Sequence, residues 1–362
     1  MKQTKSADTL FTLLRVAIGA ECGESINAEG VPWQSVYALA RKQGVLAVAF
    51  DGLSKMFEQD KEFAKSFPLS LKLQWINAVC SIEKRYDYAK TICSELVEKW
   101  AEQGIRTLCL KGLAFSTYYP EPHHRECGDF DCYLYDDYAQ GNNIARSLGA
   151  KIDDDWYKHS EIIYRKAMIE NHRFIVAVRN GKKTKQLHNL LDNIARNEER
   201  KLIFDTKIEM PSSMFNALFM NHHSLTHFLS EGVRLRHILD WAMFLEREQE
   251  HLDWERFYAL CEEFDMRAFV DCSTALAVEV FGTKITNKKI VVESPYAERV
   301  LDSILNDDIA VYSQNVGAWR KRVMLVRNLF ASEWKYKAFT KRSIFTTFIS
   351  LAWGYFTHPE EE

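Results

Sequence analysis

Apolar residues return every three or four positions through the first hundred residues, in ADTLFTLLRVAIGA and again in WQSVYALARKQGVLAVAFDGL. That period marks helices with one buried face. The longest such stretch runs from Leu69 to Trp100 through Leu71, Leu73, Trp75, Ile76, Val79 and Ile82. It has few breakers, and Gly104 is expected to stop it. From residue 105 the pattern changes. Ile105–Leu110 is a short apolar run of strand type, Gly112–Tyr119 fits a short helix ended before Pro120, and Phe130–Tyr135 reads as a second strand. Asp137–Leu148 is expected to be helical, capped by Asp136 or Asp137 and closed by Gly149. Ile162–Tyr164 and Ala167–Val178 read as further strands, and Phe204–Glu209 as one more. Between them, 179–201 begins polar and basic and leads into a helix. Helical periodicity then returns over 212–281, and the tail 294–357 is helical and aromatic.

Strands enclosed by helices on both sides in sequence predict an α+β protein: a small mixed sheet flanked by helical regions. The expected division is a helical N-terminal region over 1–100, a core over 101–210 and a helical C-terminal domain over 211–362.

Composition narrows the function classes. The net charge of −3 gives no global basic field of the kind that drives nonspecific nucleic-acid binding. The eight cysteines form no CxxC, and Cys127 with Cys132 lacks the second pair a zinc site needs, so reduced thiols in a cytoplasmic setting are expected. The N-terminus lacks the long apolar stretch of a signal peptide, and no run of about 18 apolar residues predicts membrane insertion. The final segment, KRSIFTTFISLAWGYFTHPEEE, is basic then apolar. Its thin basic decoration and terminal glutamates favour docking on the core or on a partner over lying in a membrane interface.

The chemistry concentrates in LKGLAFSTYYPEPHHRECGDFDCYL, residues 110–134. Residues i and i+2 of a strand share a face, so Asp129 and Asp131 aim two carboxylates at one point. Two close carboxylates repel unless a cation shares them. Hard oxygen ligands suit Mg²⁺, with Mn²⁺ as the alternative. Gly112, just after the first strand, lets backbone approach a bulky anion. Such a site needs a third carboxylate. Glu161 and Glu170 are the candidates, and Glu170 is preferred because His172 shares its face and is placed to orient it or to meet a phosphate. Lys111 and Arg125 add positive charge for phosphate. The plain alternatives are a turn-capping DxD, a solvated Lys111, and an Arg125 paired with Glu121 or Glu126.

A second cluster lies in NHHSLTHFLSEGVRLRHILDWAMFL. His223 and His227 are one helical turn apart, with His222 beside them, but HxxxH without the glutamate of HExxH is weak evidence for zinc. Buried histidines bonded to backbone or to Asp240 are the expectation. Arg234 and Arg236 are expected to form a phosphate- or base-facing rim across from the sheet, and Arg236 in particular to bind nucleotide; pairing of Arg236 with Asp240 is the rival.

These residues resemble the nucleotidyltransferase superfamily with the polymerase-β-like fold, and more narrowly a bacterial group of uncharacterised nucleotidyltransferases. The resemblance rests on Leu110-Lys111-Gly112, Tyr119, Arg125, Asp129-Phe130-Asp131, Glu170-Asn171-His172, and His227, Gly232, Arg236 and Asp240, over roughly residues 35–245. It implies transfer of a nucleoside monophosphate from an NTP, with Mg²⁺ held by Asp129, Asp131 and Glu170. The acceptor is left open among a small molecule, a protein side chain and an RNA end. The chain departs from the wider pattern in having Gly112-Leu113 where a second small residue is usual, and Lys111 and Ser116 are the residues expected to compensate. The rival reading is a binding or scaffold protein of degenerate nucleotidyltransferase fold, against which the intact DxD argues.

Overall fold

Thr4 accepts a hydrogen bond from the Ala7 amide and so starts α1 (Lys5–Ile18), which ends at Gly19 in the left-handed region. The computed structural model describes residues 4–20, 30–306 and 332–340. Next come α2 (Trp33–Lys42), α3 (Leu46–Gln59), α4 (Lys61–Ser66) and the 33-residue α5 (Leu69–Ala101). Helix α1 crosses α3 so closely that a Cβ on Gly52 would lie 1.9 Å from the Leu13 carbonyl oxygen, which only glycine avoids. Trp75 of α5 is fully buried and donates to the Leu46 carbonyl at 3.0 Å, tying α5 to the start of α3.

The sheet follows. Its elements in chain order are β1 (Thr107–Cys109), the single-turn α6 (Leu113–Ser116), β2 (Phe130–Tyr133), α7 (Tyr138–Ser147), β3 (Lys151–Asp153), β4 (His159–Tyr164), β5 (Ala167–His172), α8 (Lys182–Asn197), β6 (Lys201–Leu202) and β7 (Ile208–Met210). The seven strands are ordered β3-β4-β5-β2-β1-β7-β6. β2 lies antiparallel to β1 and parallel to β5, and β1 is parallel to β7. Every residue of β1 and β2 is buried, as the continuous apolar runs predict for central strands.

Two strand expectations are corrected, and β3 was not foreseen. β5 stops at His172 rather than Val178, because the amides of Arg173 and Phe174 turn to the Lys158 carbonyl; Ile175 and Val176 are apolar because the loop itself is buried. Phe204 and Asp205 take positive φ and form the turn of the β6–β7 hairpin, so the strand begins only at Ile208. β3 is a largely exposed edge strand of three residues whose Lys-Ile-Asp sequence carries no apolar signal. The helix expected over 112–119 is one turn only.

Helices α9 (Ser213–Ser230), α10 (Leu235–Glu248), α11 (Trp254–Glu263), α12 (Arg267–Phe281) and α13 (Ala297–Asn306), with a short helix Glu333–Phe339, complete the described chain. The buried apolar residues form a continuous cluster from Ala7 to Phe339, so the sheet is clamped between helices from both ends of the sequence. Among the described residues no helix is long and apolar enough to cross a membrane. The C-terminal aromatic segment, 341–362, lies outside the described residues.

Candidate active site

The end of β1 and the start of β2 meet because the two strands are antiparallel: Cys109 faces Cys132, and the Leu110 amide donates to the Asp131 carbonyl at 3.0 Å. That pairing sets Lys111 and Gly112 beside Asp129 and Asp131 across the connection 113–128. Gly112 adopts φ +61° and ψ −106°, and a Cβ there would lie 3.1 Å from the Asp129 carbonyl oxygen. On the other side, β5 runs parallel to β2 with Asp131 opposite Glu170. Directly opposed residues share a sheet face. One carboxylate oxygen from each of Asp129, Asp131 and Glu170 lies within 4.8 Å of the others. Glu161, the other candidate, pairs with Glu170 from β4 and so stands one strand further from Asp131.

Asp131 is fully buried. Its Oδ1 accepts from Lys111 Nζ at 3.0 Å and lies 3.0 Å from His172 Nε2, which is also 3.2 Å from Glu170 Oε2. Lys111 Nζ stands 3.9 Å from Asp129 Oδ2. Burial opposes ionisation of Asp131, but Lys111 and His172 overcome it and hold the carboxyl well below the usual range. For Asp129, burial and the neighbouring Asp131 charge together push the carboxyl up. Burial would lower the Lys111 ammonium, yet the surrounding carboxylates raise it above its ordinary value.

One atom is left out of this network. Asp131 Oδ2 is buried with no hydrogen-bond partner. A buried carboxylate oxygen without a donor is costly, and a hard divalent cation between three carboxylates is the partner that this donor set suits.

The remaining sequence candidates divide. Lys111, Gly112 and His172 sit at the carboxylates. Arg125 does not stand free: its Nε and Nη2 donate to the two oxygens of Asp240 at 2.8 and 2.7 Å, and its Nη1 to the Gly112 carbonyl at 3.3 Å and Cys127 Sγ at 3.2 Å. Neither Glu121 nor Glu126 is its partner, so Arg125 braces the glycine turn from behind. Ser116 is turned into the core, where its hydroxyl is 2.7 Å from Tyr86 Oη and donates to the Leu113 carbonyl. A one-turn helix starting at Gly112 puts Ser116 on the side away from the cleft. Arg236 reaches the cleft that also borders Lys111, Gly112 and Asp129. It donates through Nη1 to the Glu126 carbonyl at 2.9 Å, while its buried Nε has no hydrogen-bond partner. The rival pairing of Arg236 with Asp240 is replaced by Arg125–Asp240, to which Tyr119 adds a hydrogen bond of 2.7 Å.

His223 and His237 line the same cleft. The rings of His223 and His227 are 4.4 Å apart, and His227 pairs with Glu231 on its own helix. Burial first, then the neighbouring Arg236, drives the His237 imidazolium down to about 3. His237 Nδ1 accepts from the Arg234 amide, and none of these histidines bonds to Asp240.

Two site residues escaped sequence reasoning. Burial and the nearby Lys111 charge lower the ammonium of Lys158, which feels the carboxylates of Asp131, Glu170 and Asp129. His159 Nε2 is 3.9 Å from Glu170 Oε1, and its ring stacks on Trp156. The signal for His159 was present: Arg165 and Lys166 form a two-residue turn with positive φ at both positions. Such a hairpin turn fixes register, and counting back from it sets His159 opposite His172.

The mixed sheet thus gathers three carboxylates and a lysine beside a glycine turn, a donor set of the kind that can hold a hard cation. The comparison with families agrees: the model described as uncharacterised nucleotidyltransferase matches residues 29–282, and the chain belongs to that family. No curated protein matches the chain, and no solved structure does.

Proposed function

We propose that the protein transfers a nucleoside monophosphate from an NTP to a hydroxyl-bearing acceptor, with release of pyrophosphate. The buried, unpartnered Asp131 Oδ2 within the Asp129–Asp131–Glu170 trio carries this reading. The trio would hold Mg²⁺ or Mn²⁺, which when bound neutralises the charge that builds up on the transferred phosphoryl group. Gly112 offers backbone to the triphosphate without a side chain in the way. Lys111, which now neutralises Asp131, is freed to turn toward phosphate once a cation shares that carboxylate. His172 positions both Asp131 and Glu170, and Asp129, the most exposed of the three at 33%, is the carboxylate placed to take the acceptor proton. Arg236 from α10, with its free Nε, faces the same anion. In this reading 101–210 is the catalytic core, and α9 and α10 wall the cleft. The acceptor is a small hydroxylated molecule, a protein side chain or an RNA end.

The close Lys111–Asp131 pair favours one rival, a scaffold in which a lysine permanently replaces the cation. Thermal melting with each NTP, with and without Mg²⁺, separates the two. Stabilisation by an NTP only when Mg²⁺ is present, and its loss in Asp131→Asn, is the expected result. Identical melting in all conditions would leave the scaffold.

A further inference from the structure

A second cluster of metal-type donors lies outside the carboxylate trio and shares no residue with it. Glu83 projects from α5. His123 and His124 come from the 3-10 turn Pro122–His124 that leads from α6 toward β2. His124 Nε2 is 2.9 Å from Glu83 Oε1, and His123 Nε2 is 3.9 Å from the same oxygen and 3.7 Å from Glu121 Oε2. The two imidazoles lie 4.7 Å apart at a 30° tilt. Four ligands held about 2.0–2.1 Å from a tetrahedral zinc are roughly 3.3 Å from one another, and the observed spacings bracket that value.

We propose that Glu83, His123 and His124 bind a divalent transition-metal ion, zinc by the character of the donors, with Glu121 or water as the fourth ligand. Two imidazole nitrogens and one carboxylate oxygen suit zinc and disfavour magnesium, which prefers oxygen alone. The other nitrogen of His124 strengthens the case. Asp51 of α3 stands 2.8 Å from Nδ1. A carboxylate on the far nitrogen of a ligating histidine fixes the tautomer, turns the Nε2 lone pair to the metal and raises its basicity. His124 is nearly buried while His123 and Glu83 are about one-third exposed, so the site has a packed floor and an open side through which an ion enters.

In the metal-free protein His124 is held by both carboxylates, which overcome the effect of burial and favour the imidazolium. Zinc would take the place of any proton on Nε2, and the ion's two positive charges would balance Asp51 and Glu83. The consequence is mechanical. The ion would tie α5, and through Asp51 also α3, to the segment that carries Arg125, and Arg125 in turn supports the Gly112 carbonyl.

Titration with Co²⁺, whose tetrahedral complexes absorb strongly in the visible, followed by competition with Zn²⁺, tests the site. Among the described residues, two other groups of potential ligands both contain Glu170, namely Asp129–Asp131–Glu170 and His159–Glu170–His172. Glu170→Gln therefore weakens both and leaves the proposed site intact. The expected result is a saturable tetrahedral band in the wild type and in Glu170→Gln, and at least a tenfold loss of Zn²⁺ affinity in His123→Ala and in Glu83→Gln. His123 is partly exposed and Glu83→Gln keeps a hydrogen-bonding group toward His124, so both variants are expected to retain the wild-type urea midpoint without metal. A band that survives both substitutions, a band lost in Glu170→Gln, or no saturable band in the wild type overturns the assignment.

Discussion

Replacing Asp240 by asparagine is the most informative single change. Asp240 accepts two hydrogen bonds from Arg125 and one from Tyr119, and both members of the ion pair are buried, at 7% and 5% side-chain exposure. Asparagine keeps the size and one acceptor oxygen but removes the charge, leaving the Arg125 guanidinium buried without its counter-ion. Breaking a buried pair in this way costs about 3–5 kcal/mol. A protein of this size has a urea slope near the upper end of the usual range, about 3 kcal/mol/M, so the unfolding midpoint should fall by roughly 1–1.7 M. Adding Arg125→Met removes the stranded charge, while the amide oxygen of the introduced asparagine still accepts from Tyr119; this double variant should recover most of the loss. Every nitrogen of Arg125 is already engaged, so the double variant loses no free phosphate donor, but it does lose the brace on the Gly112 carbonyl, and a modest weakening of Mg²⁺-NTP binding, under tenfold, is expected. Urea unfolding followed by circular dichroism, with nucleotide titration on the folded proteins, reads both. An Asp240→Asn midpoint indistinguishable from the wild type would refute the buried pair. A stable double variant that binds nucleotide tenfold or more weakly would show that Arg125 serves the nucleotide beyond its ion pair, through the Gly112 turn or by direct contact.

Three further outcomes are expected. Gly112→Ala places a side chain at positive φ and against the Asp129 carbonyl, so it should cost about 1–3 kcal/mol in urea unfolding and weaken Mg²⁺-dependent nucleotide binding through displacement of Asp129; an alanine variant with wild-type stability and binding would contradict the close approach. Burial opposes ionisation of Asp240, but Arg125, Arg236 and Tyr119 hold its carboxyl below the ordinary value, so its contribution is complete above the unfolded value of about 3.9 and is lost as pH falls through the lower folded value; the stability gap between wild type and Asp240→Asn should narrow only below about pH 4, and a gap that closes nearer neutrality would point to another group. Arg236→Ala should weaken NTP binding by about 1–3 kcal/mol if its free Nε meets phosphate, and unchanged affinity with reduced stability would confine Arg236 to its bond with the Glu126 carbonyl.

The carboxylate trio was legible because it needs only local rules. Strand alternation aims Asp129 and Asp131 together, and Glu170-x-His172 carries the same alternation on the neighbouring strand. The long α5 was legible for a similar reason: 33 residues of unbroken periodicity leave one interpretation. Arg125 shows where local reading stops. Its nearest acids in sequence are Glu121 and Glu126, yet its partner lies 115 residues away on α10, a pairing set by how that helix packs and written in no short motif. Ser116 failed on a finer scale, since the face a residue takes in a one-turn helix depends on the φ of Gly112, which sequence does not state. The apolar run 174–178 misled because a buried loop and a buried strand have the same composition.

Arg125 also limits how the cleft can move. Through one planar group it holds Asp240 of α10 and the carbonyl of the glycine turn at once. It acts as a tie rod between the helical wall and the floor of the cleft. For α10 to swing outward, the rod must be pulled from its socket, and the loss of a buried ion pair opposes that. The wall and the glycine turn therefore travel as one piece, and any change in the opening of the cleft falls to lining side chains that the rod does not hold, Lys111 and Arg236 among them.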